Sequence, residues 1–503
     1  MTTRNRLRTF PPFLASGSSS SRKELFRTAL NTKYFVNFAD PTNNPNANNL
    51  VIYFEPGGAC WDYESCTQDR GIRGAANTEC IRDPSVDECI PDSHVAQWLK
   101  LPIEIPAALE SVASSFGIVN GSVPVDIALP VLSSNEKANP MYDWTKVFVS
   151  YCTGDVHTGS RTVVYKDPTG VGADVEFHHV GHDNVVAMMK ELNRNFPQVP
   201  KMMATGCSAG GAGAITNYYF IRNGLEGLEQ GFLLDDAGPI FPDQAPMAHS
   251  LLLHDEVRTA WDAEKVLESN PAFAPVLNDF GALNSTLAAE FPQDRFAITY
   301  FQQDYNYSLY SYERFNMGAE GGDMLDEAYW ADRATVYRFW DDDTLLLRNE
   351  LDPIENFGYY LPTYRDTNDS HCATIPGIDD LNDLDPPIDI SDISGAFELV
   401  NFLQDDPSPL YYVGSDMSSF VDQNGAASSD TPLNMKDFIE QLLDTSTPLK
   451  SYFETDCEGR YQACTPRCYD AGRCEMSVTD FEGLCATLTV EEQASFQCPP
   501  PPT

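Results

Sequence analysis

The stretch Gly206-Cys207-Ser208-Ala209-Gly210 poses the first chemical question in this chain. It follows an apolar run, Met202-Met203-Ala204, and precedes a segment that reads as a helix. A Gly-x-Ser-x-Gly turn between strand and helix is the pattern of a nucleophile elbow, in which the small residues let a strained serine present its hydroxyl. The helix N-terminus behind it favours developing negative charge. The competing reading is a glycine turn that only packs a helix closely against a sheet. A serine needs a histidine base, and the base needs an orienting acid. Downstream of Ser208 stand His249, His254 and His371. The first two lie in the helix-like run MAHSLLLHDEV and read as packing or surface residues, whereas His371 lies in the loop DTNDSHCATIPG, where a base belongs. Candidate acids end strand-like runs: Asp304 after AITYFQQ, with Asp235 and Asp236 after GFLL as alternatives. An oxyanion hole needs converging backbone N–H groups. Ala209 supplies one, and the Gly-Gly turn of EPGGAC supplies the other through Gly58 and Ala59.

Cys207 precedes the serine and Cys372 follows the histidine. If serine and histidine meet, these neighbours come within bonding reach, so a Cys207–Cys372 disulfide is expected. The alternative is a buried thiol at Cys207.

These residues need elements to carry them. NLVIYFEPGGACWD reads as a strand and tight turn, WTKVFVSYCTGDVHTGS as a strand running into a polar loop, and HDNVVAMMKELNRNF as an amphipathic helix. PKMMATGCSAGGAGAITNYYFIRNG reads as strand, turn and helix, and GFLLDDAGPIF and RFAITYFQQDYNYS add strands. The alternation predicts an α/β fold with a mixed, mostly parallel sheet flanked by helices. The expected organisation is a flexible lead over 1–25, a catalytic domain over 26–450 with insertions near 66–142 and 318–369, and a Cys-rich extension over 451–503.

Composition narrows the function. With 32 basic and 74 acidic residues among 503, the formal charge is −42. Such a surface repels phosphate backbones and anionic lipid, which disfavours nucleic acid and membrane as partners. No apolar run reaches the length of about 18 residues that a membrane-spanning helix needs. The 13 cysteines predict disulfides and an oxidising compartment, and their odd number leaves at least one unpaired within the chain. Six fall between Cys457 and Cys498 with no CxxC pair and no histidine pair, so no metal site is expected. The stretch GIDDLNDLDPPIDISDIS does not match an EF-hand loop and reads as solvated, with weak calcium binding as the other reading. A secreted, extracellular or periplasmic protein is expected, although the N-terminal segment shows no apolar core of signal-peptide length.

Taken together, YFEPGGACWDYESC, VFVSYCTGDVHTGS, TGCSAGGAGA, LLDDAG and the His371-Cys372 pair resemble the pectin acetylesterase/Notum family of serine carboxylesterases, over about residues 45 to 375. The resemblance implies an α/β-hydrolase-like fold and a triad falling on Ser208, Asp304 and His371, with no cofactor. It also implies a Cys60–Cys152 link. The Cys-Ser and His-Cys pairs are similar to those of tannases and feruloyl esterases. The expected activity is that of a deacetylase-like carboxylesterase acting on an acylated glycan, a lipid acyl ester or a polyester, as a monomer. The charge of −42 makes polyanionic pectin a poor fit. The rival readings are a polyester or long-acyl esterase and, in another class, a non-catalytic binding protein on the same scaffold.

Overall fold

The computed structural model describes residues 22–27, 33–67, 129–243, 248–312, 333–363, 370–375, 420–423 and 435–454. The expected lead before residue 22, most of the 66–142 insertion, the Asp-rich stretch 377–394 and the cysteines of the C-terminal extension lie outside the described residues.

The first elements are β1 (Arg22–Arg27), β2 (Lys33–Phe38), β3 (Leu50–Phe54), α1 (Tyr63–Thr67), β4 (Thr145–Val149), β5 (Arg161–Tyr165) and β6 (Val175–His179). The centre of the chain gives α2 (Gly181–Asn195), β7 (Lys201–Cys207), α3 (Ala209–Gly224), β8 (Gln230–Asp236), α4 (Leu251–Trp261), α5 (Ala263–Leu267) and α6 (Leu283–Glu290). Then follow β9 (Arg295–Thr299), α7 (Tyr305–Tyr312), α8 (Arg333–Leu351), β10 (Phe357–Leu361), β11 (Phe420–Asp422), α9 (Met435–Leu443) and β12 (Tyr452–Glu454).

Among the described residues these strands build a ten-stranded sheet in the order β1-β2-β4-β3-β7-β8-β9-β10-β12-β11. Every pairing from β4 across to β12 is parallel, and antiparallel pairs close both edges. This is the α/β architecture expected from the alternating pattern. Parallel strands covered on both faces are apolar throughout. β3 (LVIYF) and β4 (TKVFV) are buried at every position, and β7 (KMMATGC) at every position after its first lysine. β5 and β6 form a separate two-stranded hairpin.

The sheet takes in segments whose sequence suggested something else. α8 and β10 fall within 318–369, the stretch expected as an insertion, and β10 (FGYYL) is wholly buried between β9 and β12. β12 falls within the stretch expected as an extension, where Tyr452 pairs with Tyr360. The acids and aromatics around these short strands mask their apolar runs.

Helix α3 is the element that matters most. It packs on β7, β8 and β3, and α2 packs on it in turn, with His182 Nδ1 bonded to Asn217 Oδ1 (3.0 Å); α2 buries Val185, Met188, Met189 and Leu192, an i, i+3, i+4, i+7 stripe. Its far end is fixed by Asp294, which accepts from Tyr218 Oη (3.0 Å), Arg222 Nε (2.6 Å) and the Gly231 N–H (2.9 Å). Its near end is fixed by the absence of side chains. A Cβ at Gly206 would lie 2.6 Å from the Phe54 carbonyl oxygen, and one at Gly210 would press into the same oxygen more closely still. Because that oxygen belongs to a central strand, it has little room to yield. Gly210→Ala is expected to cost about 1–3 kcal/mol through overpacking, read as a lower denaturant midpoint. An unchanged midpoint would show that helix and strand do not meet this tightly.

Candidate active site

Strand β7 runs straight into Ser208, which sits at φ 57° and ψ −122° before α3 begins. A left-handed φ in a non-glycine residue costs about 1–3 kcal/mol and persists only where neighbours enforce it. Here the Ser208 N–H donates to the Asp236 carbonyl (2.7 Å), and the Ser208 carbonyl accepts from the Ala212 N–H (3.0 Å). The serine is 8% exposed, so the turn brings it to the edge of the protein interior.

His371 follows Ser370 and precedes Cys372, both of which have a left-handed φ, 57° and 65°. Its Nδ1–H donates to Asp304 Oδ2 (2.8 Å). The other Asp304 oxygen accepts from the Tyr307 N–H (2.9 Å) in the first turn of α7. The segment before Asp304 is pinned to the exit of β10, since the Gln302 and Gln303 N–H groups donate to the carbonyls of Pro362 and Thr363. Asp304 is therefore buried, fixed at both oxygens, and aimed at the imidazole.

Asp236, the alternative acid, does other work. Its Oδ1 accepts from the Ala373 N–H (2.8 Å), and its Oδ2 from the N–H (2.9 Å) and hydroxyl (2.5 Å) of Thr374. Burial pushes its carboxyl up to about 6, against the pull of those donors. Asp235 is buried beside it, and burial and the Asp236 charge raise its carboxyl well above the ordinary carboxylate range. Asp236 thus grips the backbone just beyond His371.

Cys207 and Cys372 are joined in a disulfide with Cα atoms 5.7 Å apart. Both sulfurs lie within 4.8 Å of a ring nitrogen of His371. The turn that carries the serine and the loop that carries the histidine are therefore one covalent unit.

The loop after β3 carries Gly58 and Ala59. Gly58 has a φ of 69°, a conformation that glycine adopts without strain. Tyr151 Oη donates to the Gly58 carbonyl (2.9 Å), the Cys60 N–H donates to Gly154 (2.8 Å), and Trp261 Nε1 donates to the Cys60 carbonyl (2.8 Å). Ala59 and Ala209 share one buried cluster with Trp61, Tyr151, Trp261 and Tyr310. The two expected sources of oxyanion N–H groups thus border one buried cluster, through Ala59 and Ala209.

The Cys60–Cys152 pairing does not form. Cys60 bonds instead to Cys66, with Cα atoms 5.0 Å apart. The reason is local. Ser65 Oγ accepts from the N–H groups of Trp61 and Asp62, and the Ser65 N–H donates to Asp62 Oδ1, so the chain doubles back into α1 and brings Cys66 beneath Cys60. Two groups of side chains have metal-like proximity among the described residues, Cys60-Cys66-His179 and Cys207-Cys372-His371. In both, the sulfurs are spent in a disulfide and offer no thiolate.

The other downstream histidines are held elsewhere. His254 Nδ1 bonds to Asp243 Oδ1 (2.7 Å), whereas His249 bonds to Asp342 Oδ2 (2.9 Å) and stacks on Phe339. Glu55 was not singled out by the sequence, although it directly precedes the Pro-Gly-Gly turn. It is fully buried, its Oε2 accepts from the Tyr151 N–H (2.7 Å), and its backbone carbonyl bonds to His157 Nε2 (2.9 Å). Its Oε1 has no partner among the described residues. Burial pushes its carboxyl up to about 8 and holds it neutral, while burial depresses His157 to about 4.

Comparison with known proteins starts from this geometry. Residues 126–271 match the family model described as Pectinacetylesterase. That supports the resemblance read from the motifs. The pectinacetylesterase segment runs from before β4 to beyond α4 and includes Ser208, whereas Asp304 and His371 lie beyond its end. No curated protein matches the chain. Similar solved structures include two crystal forms of the Wnt deacylase Notum from Drosophila. Form II is 16% identical with a TM-score of 0.39, covering 67% of this chain and 83% of that one. Form I is 16% identical with a TM-score of 0.38, covering 67% and 84%. At such values the fold rests on the sheet order and the elbow of this chain itself.

Two outcomes are expected. The Cys207–Cys372 bond closes a separation of 165 residues, so the double variant Cys207→Ala/Cys372→Ala should lose about 2–5 kcal/mol. An unchanged denaturant midpoint would contradict this. The second concerns pH. A carboxyl raised from 4.5 to about 8 on folding favours the native state fully below pH 4.5, and this contribution is lost as the pH climbs to about 8. Glu55→Gln should therefore flatten the decline in wild-type stability across that window. Denaturant midpoints at a series of pH values check this, and parallel slopes in the two proteins would refute it.

Proposed function

We propose that this protein is a secreted serine carboxylic ester hydrolase of pectin acetylesterase-like type, removing acetyl or other acyl groups by way of an acyl-enzyme. The observation that carries the reading is the His371–Asp304 hydrogen bond, on a loop covalently tied to the elbow serine. Nothing about Ser208 alone would suffice, since glycine turns are common.

In this reading Ser208 Oγ attacks the ester carbonyl while His371 accepts its proton at Nε2, because Nδ1 is committed to Asp304. Asp304 fixes the tautomer and stabilises the imidazolium. The N–H groups of Gly58, Ala59 and Ala209 hold the oxyanion, and the N-terminus of α3 adds its positive end. His371 then protonates the departing alcohol. Water, deprotonated by the same imidazole, releases the acid and restores Ser208. The net charge of −42 favours neutral esters over polyanionic ones. The disulfides fit an oxidising, extracellular setting.

Ser208→Ala should lower kcat for p-nitrophenyl acetate by at least about 10³-fold without changing the unfolding midpoint. Asp304→Asn should lower it by about 10²- to 10⁴-fold through loss of the correct tautomer. Full activity in Ser208→Ala, or failure of a fluorophosphonate probe to label Ser208 in the wild type, would leave a binding protein on a hydrolase scaffold as the better reading.

A further inference from the structure

The loop that carries Gly58 and Ala59 has little in its own backbone to hold it. Gly57 and Gly58 stand at φ 155° and 69°, and a glycine pair gives the next peptide many orientations at no steric cost. The orientation of the Gly58–Ala59 peptide must therefore be set from outside the loop. Tyr151, two residues beyond β4, does this. Its Oη donates to the Gly58 carbonyl (2.9 Å) and accepts from the Val156 N–H (2.8 Å). A phenol has one proton, and the Val156 N–H occupies a lone pair, so that proton is committed to Gly58. Burial raises the phenol well above its ordinary range and keeps the proton in place.

The tyrosine is itself fixed. It is buried, its N–H donates to Glu55 Oε2 (2.7 Å), and its ring lies against His157 with centroids 4.5 Å apart. His157 Nε2 bonds in turn to the Glu55 carbonyl (2.9 Å). Glu55 and Gly58 bracket the Pro56-Gly57 turn, so the segment after β4 clasps it at both ends. A peptide unit is planar and trans, so the Gly58 carbonyl and the Ala59 N–H point in opposite directions. Holding the one aims the other.

Resting on the esterase reading above, we propose that Tyr151 is a positioning residue for the oxyanion, whose hydroxyl holds the Gly58 carbonyl and thereby aims the Ala59 N–H at the oxygen that becomes charged in the transition state. It acts through the loop and not by contact with the ester. Its effect therefore falls on the tetrahedral state, where a misplacement of about 1 Å costs on the order of 10²-fold in rate.

The test compares wild type, Tyr151→Phe, Tyr218→Phe and the protein carrying 3-fluorotyrosine at position 151. The substrate is p-nitrophenyl acetate, and the inhibitor is a trifluoromethyl ketone, whose adduct with a serine carries an oxyanion. Rates are divided by the concentration of sites that a fluorophosphonate titrates. Tyr151→Phe should lower kcat by about tenfold or more, leave KM within about twofold, and raise the ketone Ki by the same factor as kcat falls. Tyr218→Phe loses a comparable buried bond, to Asp294 at the far end of α3, and should lower the unfolding midpoint while keeping kcat. With 3-fluorotyrosine the ring and hydroxyl remain, so kcat and Ki should stay within about threefold of wild type. An unchanged kcat in Tyr151→Phe overturns the proposal, as does a fall in kcat with the ketone Ki unmoved. An equal fall in Tyr218→Phe overturns it too, since that marks a packing role. A tenfold loss with 3-fluorotyrosine does so even where Tyr151→Phe does not fold. Retained activity in Ser208→Ala is a different failure, that of the esterase reading itself.

Discussion

The contact on which the site depends is the approach of helix α3 to the carbonyl of Phe54, with only the hydrogens of Gly206 and Gly210 between them. That closeness sets the sharpness of the turn at Ser208 and so the left-handed backbone of the serine. It also sets the distance between the helix N-terminus and the loop that leaves β3 at Glu55. Moving the helix outward by one methyl group would separate Ala209 from Ala59 and open the cluster they share. The strain at Ser208 is sustained by rigid neighbours, a central parallel strand on one side and the Asp236 carbonyl on the other.

Around that contact, carboxyl groups divide the labour by what they touch. Asp304, Asp236, Asp235 and Glu55 are all buried close to strand ends. Asp304 faces the imidazole and the N-terminus of α7. Asp236 spends both oxygens on the backbone and hydroxyl beyond His371. Glu55 is held neutral by burial beside the glycine loop, so it adds no negative charge there. Environment, more than residue type, separates one role from another.

Much of this was legible in the chain. The strands β3, β7, β8 and β9, buried at every position except the first of β7 and of β8, appear as short apolar runs, because parallel strands covered on both faces have no polar side to show. The elbow and the Gly-Gly loop were legible because a tight turn restricts residue choice. The choice between Asp304 and Asp236 was not, since both end strands and only the path of the 370–375 loop distinguishes them. The Cys60–Cys66 link was hidden for a similar reason: pairing follows where the chain turns, and here Ser65 makes it turn back at once. β10 was hidden by its acidic and aromatic surroundings. Glu55 carries no motif, and its burial beside the glycine loop is visible only in the fold.

The grip on the histidine loop has a consequence for how such a protein can vary. Cys372 is bonded to the elbow, and Ala373 and Thr374 are clasped by a carboxylate rooted in β8. The position of the imidazole is therefore held in part by groups far from it in sequence. Tethering of this kind lightens the demand that any single stretch of sequence fix the imidazole. A scaffold with such anchors can vary elsewhere in sequence while the pairing of His371 with Asp304 is kept.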